Sequence, residues 1–203
     1  MNVLLLGGSP SAPSSTWRLL QLVGARLAAQ GHRTDALQVR DLPAHALLRA
    51  DASDPAIVLA LAQIAEADAV VIGTPVYKAS FSGILKTFLD LLPQFGLAGK
   101  LVLPLATGGS QSHMLAIDYA LRPVLASMGP RAILPGIYAT SEQLPWHPDG
   151  TLTPHAAIAA RIDAGIEHLV HDLEQLRQQA LLRQAAAAQS TTATTATAAA
   201  IPA

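Results

Sequence analysis

Three short stretches of this 203-residue chain carry groups suited to holding a phosphate and a flat ring. In the first, Gly7-Gly8-Ser9-Pro10 is followed closely by Ser14, Ser15 and Thr16, hydroxyls at the start of a helical pattern. The first backbone N–H groups of a helix lack carbonyl partners and its dipole favours an anion there, so a phosphate can be held without a cationic side chain. Ser and Thr at a helix start also act simply as N-caps, and this loop alone does not separate the two roles. The second stretch is Thr74-Pro75-Val76-Tyr77. Pro75 fixes the local backbone, and Tyr77 either lies beside a flat ring or covers part of the helix that follows. The third is Thr107-Gly108-Gly109-Ser110. Its glycine pair either lets the main chain approach a ligand closely or makes a plain tight turn. Along one edge of a parallel sheet, three such loops make a site for a phosphorylated ring compound.

The elements around these loops supply that edge. Short β-branched or leucine-rich runs alternate with longer helical patterns, which predicts a parallel α/β sheet. The strands are expected at Asn2 to Leu6, Arg33 to Val39, Ala69 to Gly73, Leu101 to Ala106 and, more weakly because of Pro135 and Gly136, Ala132 to Tyr138. The run Ala69-Val70-Val71-Ile72-Gly73 is apolar throughout, as a strand covered on both faces should be. Helices are expected from Trp17 to a stop at Gly31, from Pro55 to Ala67, from Ser82 to Leu92, from about Gln111 to Met128, and from near Pro154 past Leu176. Asp41 to Asp54 reads as a connection. Five β-α units fit a flavodoxin-like doubly wound fold, with helices on both sides of a five-stranded parallel sheet in the order 2-1-3-4-5. The first loop lacks the G-x-G-x-x-G of a dinucleotide fold, so a mononucleotide is favoured, and flavin mononucleotide (FMN) is the ring compound that suits it.

Composition bounds the rest. The chain is long enough for one domain, expected at residues 1–184, and from Ala185 to Ala203 it turns to Ala, Thr, Gln and Ser, read as a disordered tail. Net charge is −1 with no basic stripe, which argues against nucleic acid. No apolar run approaches the roughly 18 residues of a membrane span. Val3 to Leu6 is strand-like without the marks of a signal peptide, so a cytoplasmic location is expected. Having no cysteine, the chain has no disulfides, thiol catalysis or cysteine-held zinc.

Other chemistry-bearing residues carry less. His168 and His171 stand at i, i+3 on the last helix without a third ligand at metal spacing, and a solvated helix face accounts for them. Ser110, His113 and Asp118 lie too close in sequence for a hydrolase triad, and no G-x-S-x-G elbow exists. His113 borders either a ligand or an interface, or is a surface residue at a helix start. Trp17 reads as packing, and Trp146 sits in a loop rich in Pro and Asp. Pro123, inside the helix expected from Gln111, cannot bond the carbonyl of Tyr119. The helix answers with either a π-bulge or a kink.

The segments TPVYKASFSGILKTFLDLLP (residues 74–93), KLVLPLATGGS (100–110) and HMLAIDYALRPVL (113–125) closely resemble the NADPH-dependent FMN reductases of alkanesulfonate utilisation. The resemblance runs from Met1 to about Tyr138, more loosely through the last helix, and leaves out the tail. It implies that FMN is reduced by NADPH and that the reduced flavin passes to a flavin-dependent alkanesulfonate monooxygenase, in a cytoplasmic two-component system. It implies phosphate contacts from Ser9, Ser14 and Thr16, beside the Ser15 hydroxyl read from the loop itself, ring contacts from Pro75, Val76 and Tyr77, and a ring border made by Thr107, Gly108 and Gly109. Tyr119 is implied to mark a π-helical insertion at a subunit interface of a homotetramer, tied to releasable flavin. No catalytic residue and no metal are expected. The first loop departs from the family, having Ser11 and Ser15 where relatives often place Arg. Another cation such as Arg18 is the candidate substitute there, and Arg18, Lys78 and Arg122 are the candidates for reading the 2′-phosphate of NADPH. The alternatives are an FMN-containing quinone or azo reductase and a non-catalytic flavin-binding protein of flavodoxin type.

Overall fold

The apolar runs become the middle of the sheet. The computed structural model describes residues 1–148 and 151–198, with side chains as far as residue 184. The first strand, β1 (Asn2–Gly7), lies parallel to both β2 (Arg33–Gln38) and β3 (Ala69–Tyr77). Beyond β3 comes β5 (Leu101–Gly108), and the far edge is shared by β6 (Ala132–Ile133) and β7 (Ile137–Thr140), both parallel to β5. The path β2-β1-β3-β5-β6 is the doubly wound order expected from the sequence.

The sheet has seven strands where five were expected. The fifth expected strand is split in two because Pro135 has no N–H to give the ladder and Gly136 packs against the Ile117 side chain, where a Cβ would come within 2.5 Å. The remaining strand is β4 (Ser80–Phe81), which folds back antiparallel on the end of β3, pairing Val76 with Phe81 and Tyr77 with Ser80. Its two turn residues, Lys78 and Ala79, both have positive φ, 50° and 61°. Hairpin turns of this kind prefer Asn-Gly, so this one is strained.

Alternation along the strands sends one set of side chains to each face. Leu4, Leu6, Val70, Ile72 and Val102 pack under α3 (Pro55–Glu66), α4 (Gly83–Leu89) and α5 (Arg122–Ser127), together with the short α2 (Ala44–Arg49) inside the expected connection. Val3, Leu5, Val71, Leu103 and Leu105 pack under α1 (Ser15–Ala29) and α6 (Ala156–Ala198). Each fully buried leucine on these faces stabilises the fold by about 1.5–3 kcal/mol. The residues expected to form a tail from Ala185 have side chains outside the described set, and 199–203 lie outside it altogether. No helix among the described residues is long and apolar enough to cross a membrane.

The helix expected from Gln111 to Met128 is broken. A 3-10 turn at Gln111–His113 precedes a π-helical turn at Ile117–Leu121, and α5 begins only at Arg122. In the π turn the Arg122 N–H reaches the Ile117 carbonyl, five residues back. The widening falls immediately before Pro123, whose missing N–H a regular helix could not absorb.

Candidate functional site

All the parallel strands run the same way, so the loops after β1, β3, β5 and β7 meet at one edge. There they enclose an open cleft of about 250 Å³. It is lined by every one of the ten residues singled out as cofactor-binding: Ser9, Ser14, Ser15 and Thr16 from the first loop, Pro75, Val76 and Tyr77 from the second, and Thr107, Gly108 and Gly109 from the third. Ser11, Pro13 and Ser141 complete the lining. Ser141 was missed although its signal was available: it lies just past the last strand, on the same edge as the other three loops. None of the lining residues is charged.

The first loop is shaped from within. Ser14 caps α1, its Oγ accepting the Trp17 N–H at 3.2 Å, and the Ser9 Oγ accepts the Ser11 N–H at 3.3 Å. From the end of β2, the Arg40 guanidinium donates to the Ser11 carbonyl. Thr16 and Thr107 are both buried and their hydroxyls meet at 2.5 Å, tying the first loop to the third. Ser82 joins the first loop to the second. Its hydroxyl donates to the Gly8 carbonyl and accepts the Leu85 N–H at 3.3 Å as the cap of α4, while its own N–H bonds the Thr74 Oγ1 at 3.0 Å.

The two glycines of the third loop differ. A Cβ on Gly108 would lie 2.3 Å from the Tyr138 hydroxyl, whereas one on Gly109 would have nothing within 4 Å. Gly108 is therefore glycine because of packing beneath the loop. That tyrosine hydroxyl donates to the Ser110 carbonyl at 2.6 Å, and burial pushes its pKa up. Only Gly109 leaves open space for a close ligand.

Tyr77 faces two cavities. It borders the cleft, with 47% of its surface exposed, and also lines an adjoining apolar cavity of about 440 Å³ with Leu47 and Leu48 of α2 and Ile84 and Thr87 of α4. A larger cavity of about 680 Å³ lies at the opposite ends of the strands, between α3 and the 92–98 turn. The Lys100 amine there bonds the Ala65 and Ala67 carbonyls at 2.7 and 2.8 Å, closing the end of α3, and it has no part in the strand-end cleft.

The remaining sequence candidates lie elsewhere. Tyr119 is 79% exposed on the π turn, beside exposed Met114 and Leu115. His113 is exposed and outside the cleft lining, and Asp118 pairs with Arg122 at 3.0 Å. His168 faces Asp172 at 3.6 Å, and no group of three potential metal ligands occurs among the described residues. Trp146 lies against Arg18, its ring centroid 3.8 Å from the guanidinium carbon.

The cleft fits a singly phosphorylated ring compound. Its hydroxyls and the N-terminal amides of α1 suit a phosphate, and the open space at Gly109 suits the edge of a flat ring. Comparison with known proteins points the same way. A family model described as NADPH-dependent FMN reductase matches residues 1–144. An enzyme of Pseudomonas putida KT2440 named FMN reductase (NADPH) is 43% identical over 184 residues, 91% of this chain and 90% of its own length. One of the same name from Escherichia coli K12 is 40% identical over 168 residues, 82% of this chain and 87% of its own. The solved apo structure of an NADH:FMN oxidoreductase (EMOB) superposes with a TM-score of 0.76 at 39% identity, covering 83% of this chain and 87% of that one.

Proposed function

The chain belongs to the NADPH-dependent FMN reductase family, and from that premise we propose that it takes FMN as a releasable substrate and delivers the reduced flavin to a separate monooxygenase. It is an oxidoreductase, and FMN and NADPH are the compounds it works with. The observation that carries the reading is the convergence of four strand-end loops on one uncharged, open cleft.

In this reading Ser9, Ser14, Ser15 and Thr16, with the first amides of α1, hold the phosphate. Pro75, Val76 and Tyr77 would contact the ring. Thr107, Gly108 and Gly109 would border it from the next strand, with Gly109 giving the close approach. When bound, FMN supplies the ring that accepts the hydride of NADPH. What is asked of the protein is orientation and backbone N–H groups near the ring edge, so no general base is assigned. Residues 1–184 carry the activity and 185–203 stand outside it.

The resemblance to the alkanesulfonate-utilisation reductases supports an alkanesulfonate monooxygenase as the partner. Release of the flavin is supported by the openness of the cleft and by the π turn. The exposed Met114, Leu115 and Tyr119 on and beside that turn form an apolar surface suited to a second copy of the chain in a homotetramer.

The test is NADPH oxidation by the purified protein as FMN is added from zero. A colourless preparation with a rate that rises hyperbolically from near zero with added FMN is expected. A yellow preparation whose rate ignores added FMN would make it a quinone or azo reductase with resident flavin. Flavin binding without NADPH oxidation would make it a carrier.

A further inference from the structure

The geometry points to a second ligand site, at the strand ends away from the cleft. There the cavity between α3 and the 92–98 turn takes an amphiphilic monoanion, its apolar chain along the cavity and its carboxylate or sulfonate head at the Lys100 amine. The inference is independent of the flavin reading, because no residue lines both this cavity and the cleft.

The apolar half of the site is built by two facing walls. Leu61, Ala62 and Ile64 of α3 form one, and Leu92, Pro93 and Phe95 form the other. Phe95 is 65% exposed, a large apolar ring left facing water beside a hollow that is itself apolar. The cavity holds about 680 Å³, inside the range of roughly 300–1,000 Å³ usual for small-molecule pockets. Its outer wall is held in shape by the backbone. The Gly96 N–H bonds the Pro93 carbonyl at 2.8 Å, the Ala98 N–H bonds the Phe95 carbonyl at 2.9 Å, and the Leu97 N–H reaches the Met128 carbonyl at 3.2 Å.

The charged half is Lys100, which is only 8% exposed yet lines the cavity. Two of its three ammonium N–H groups go to the Ala65 and Ala67 carbonyls. Among the described residues the third has no acceptor, and no carboxylate stands within the 4 Å of an ion pair. A buried cation held only by neutral carbonyls is costly, and an anion at the remaining N–H would relieve that cost. Burial accordingly pulls the Lys100 pKa down, with Asp68 opposing. Lys100 also lines a polar cavity of about 350 Å³ alongside, with Arg131, Arg183, Glu66 and Asp68. Three cationic side chains against two carboxylates leave one positive charge in excess there. That balance matches a head group with a single negative charge better than a phosphate dianion.

The experiment measures calorimetric dissociation constants for octanoate, octane-1-sulfonate and neutral octan-1-ol, all below their micellar range and without flavin or nucleotide. The proteins are the full-length wild type, K100Q, K100R and A62W, each checked by thermal unfolding and sedimentation. Wild type should bind at least one of the two anions more tightly than octanol, and which of them it prefers identifies the head group. Hexanoate and heptanoate extend the series, and each added methylene should tighten binding about fourfold. K100Q should weaken the anions by about 10- to 100-fold and leave octanol as it was. K100R should keep part of the affinity. Should K100Q fail to fold, A62W still decides, because it leaves Lys100 in place and fills the cavity, so all three ligands should weaken together. Octanol binding as tightly as both anions, or anion binding that ignores K100Q, A62W and chain length, would overturn the proposal. So would a wild type that binds none of the probes, or an A62W that changes the oligomeric state without any ligand binding, which would make this face an interface between copies. FMN reduction by the same preparations is a separate measurement, so failure here leaves the flavin reading standing.

Discussion

Replacing Gly108 and Gly109 separately should give opposite results, because the two face different surroundings. A Cβ at Gly108 lands 2.3 Å from the Tyr138 hydroxyl and 3.2 Å from the ring carbon that bears it. That hydroxyl is held by its 2.6 Å bond to the Ser110 carbonyl and cannot move aside without breaking it. Gly108→Ala should therefore destabilise by roughly 1–3 kcal/mol, the usual range for overpacking. At about 2–4 °C per kcal/mol for a domain of this size, Tm falls by about 5 °C. Tyr138→Phe alone loses one buried hydrogen bond, about 0.5–1.5 kcal/mol. It also removes the clashing atom, leaving the 3.2 Å contact as the nearest, which a shift of a few tenths of an ångström relieves. The double variant should then be more stable than the sum of the two single changes implies, with a coupling of about 1–2 kcal/mol. A Cβ at Gly109 has nothing within 4 Å, so with Gly109→Val stability should stay within about 0.5 kcal/mol while FMN affinity falls about tenfold. Urea midpoints and FMN fluorescence titrations read the two effects. Additive losses at Gly108 and Tyr138, or a Gly109→Val protein that is destabilised yet binds FMN normally, would refute the assignment of the two glycines.

Ala79→Gly should stabilise the protein by about 0.5–1 kcal/mol, because Ala79 holds a φ of 61° that glycine adopts without strain, and urea unfolding would show it as a raised midpoint. Burial first, then the N-terminal ammonium, lower the His32 pKa below the usual histidine range, against an opposing pull from Glu174. The unfolded chain therefore takes up this proton at a higher pH than the folded one. The stability linked to His32 is complete above about pH 6.5 and is lost as pH falls through its lower folded value. His32→Gln should flatten that part of the profile, seen as a smaller drop in urea midpoint between neutral and mildly acidic buffer.

The strand order and the three loops were legible because they depend on signals that survive in one dimension. Apolar runs without alternation mark strands covered on both faces, and Ser, Thr and Gly clusters mark their ends. Departures occurred where the local signal was missing or misleading. The β3–β4 hairpin turns on Lys78-Ala79, which carries none of the Asn or Gly that announces such a turn. Helix α2 spans only Ala44–Arg49 and follows Pro43, so it is too short for a period to show. The π turn was visible only as an alternative to a kink, since Pro123 demands a local change without dictating which. The contrast between Gly108 and Gly109 lay beyond any reading of the chain. It depends on the Tyr138 ring arriving from another strand, thirty positions away, to fill the space under one glycine and leave the other open.

An uncharged cleft also bears on whether flavin leaves between turnovers. Association with a specific patch runs at about 10⁶–10⁷ M⁻¹ s⁻¹. A ligand held at a nanomolar Kd would then depart at about 10⁻³–10⁻² s⁻¹, far below a typical turnover of about 10 s⁻¹. Release on each cycle calls for a Kd of about 1 µM or weaker, some 8 kcal/mol or less in total. Hydroxyls and helix amides hold a phosphate without a full opposing charge, which keeps affinity in that range. Were several arginines to line the cleft, each adding about 10- to 100-fold, the flavin would become resident. The arrangement therefore sets a limit that a titration can check: FMN affinity in the wild type should fall in the micromolar range, and a nanomolar value would make this chain a flavoprotein with a bound cofactor.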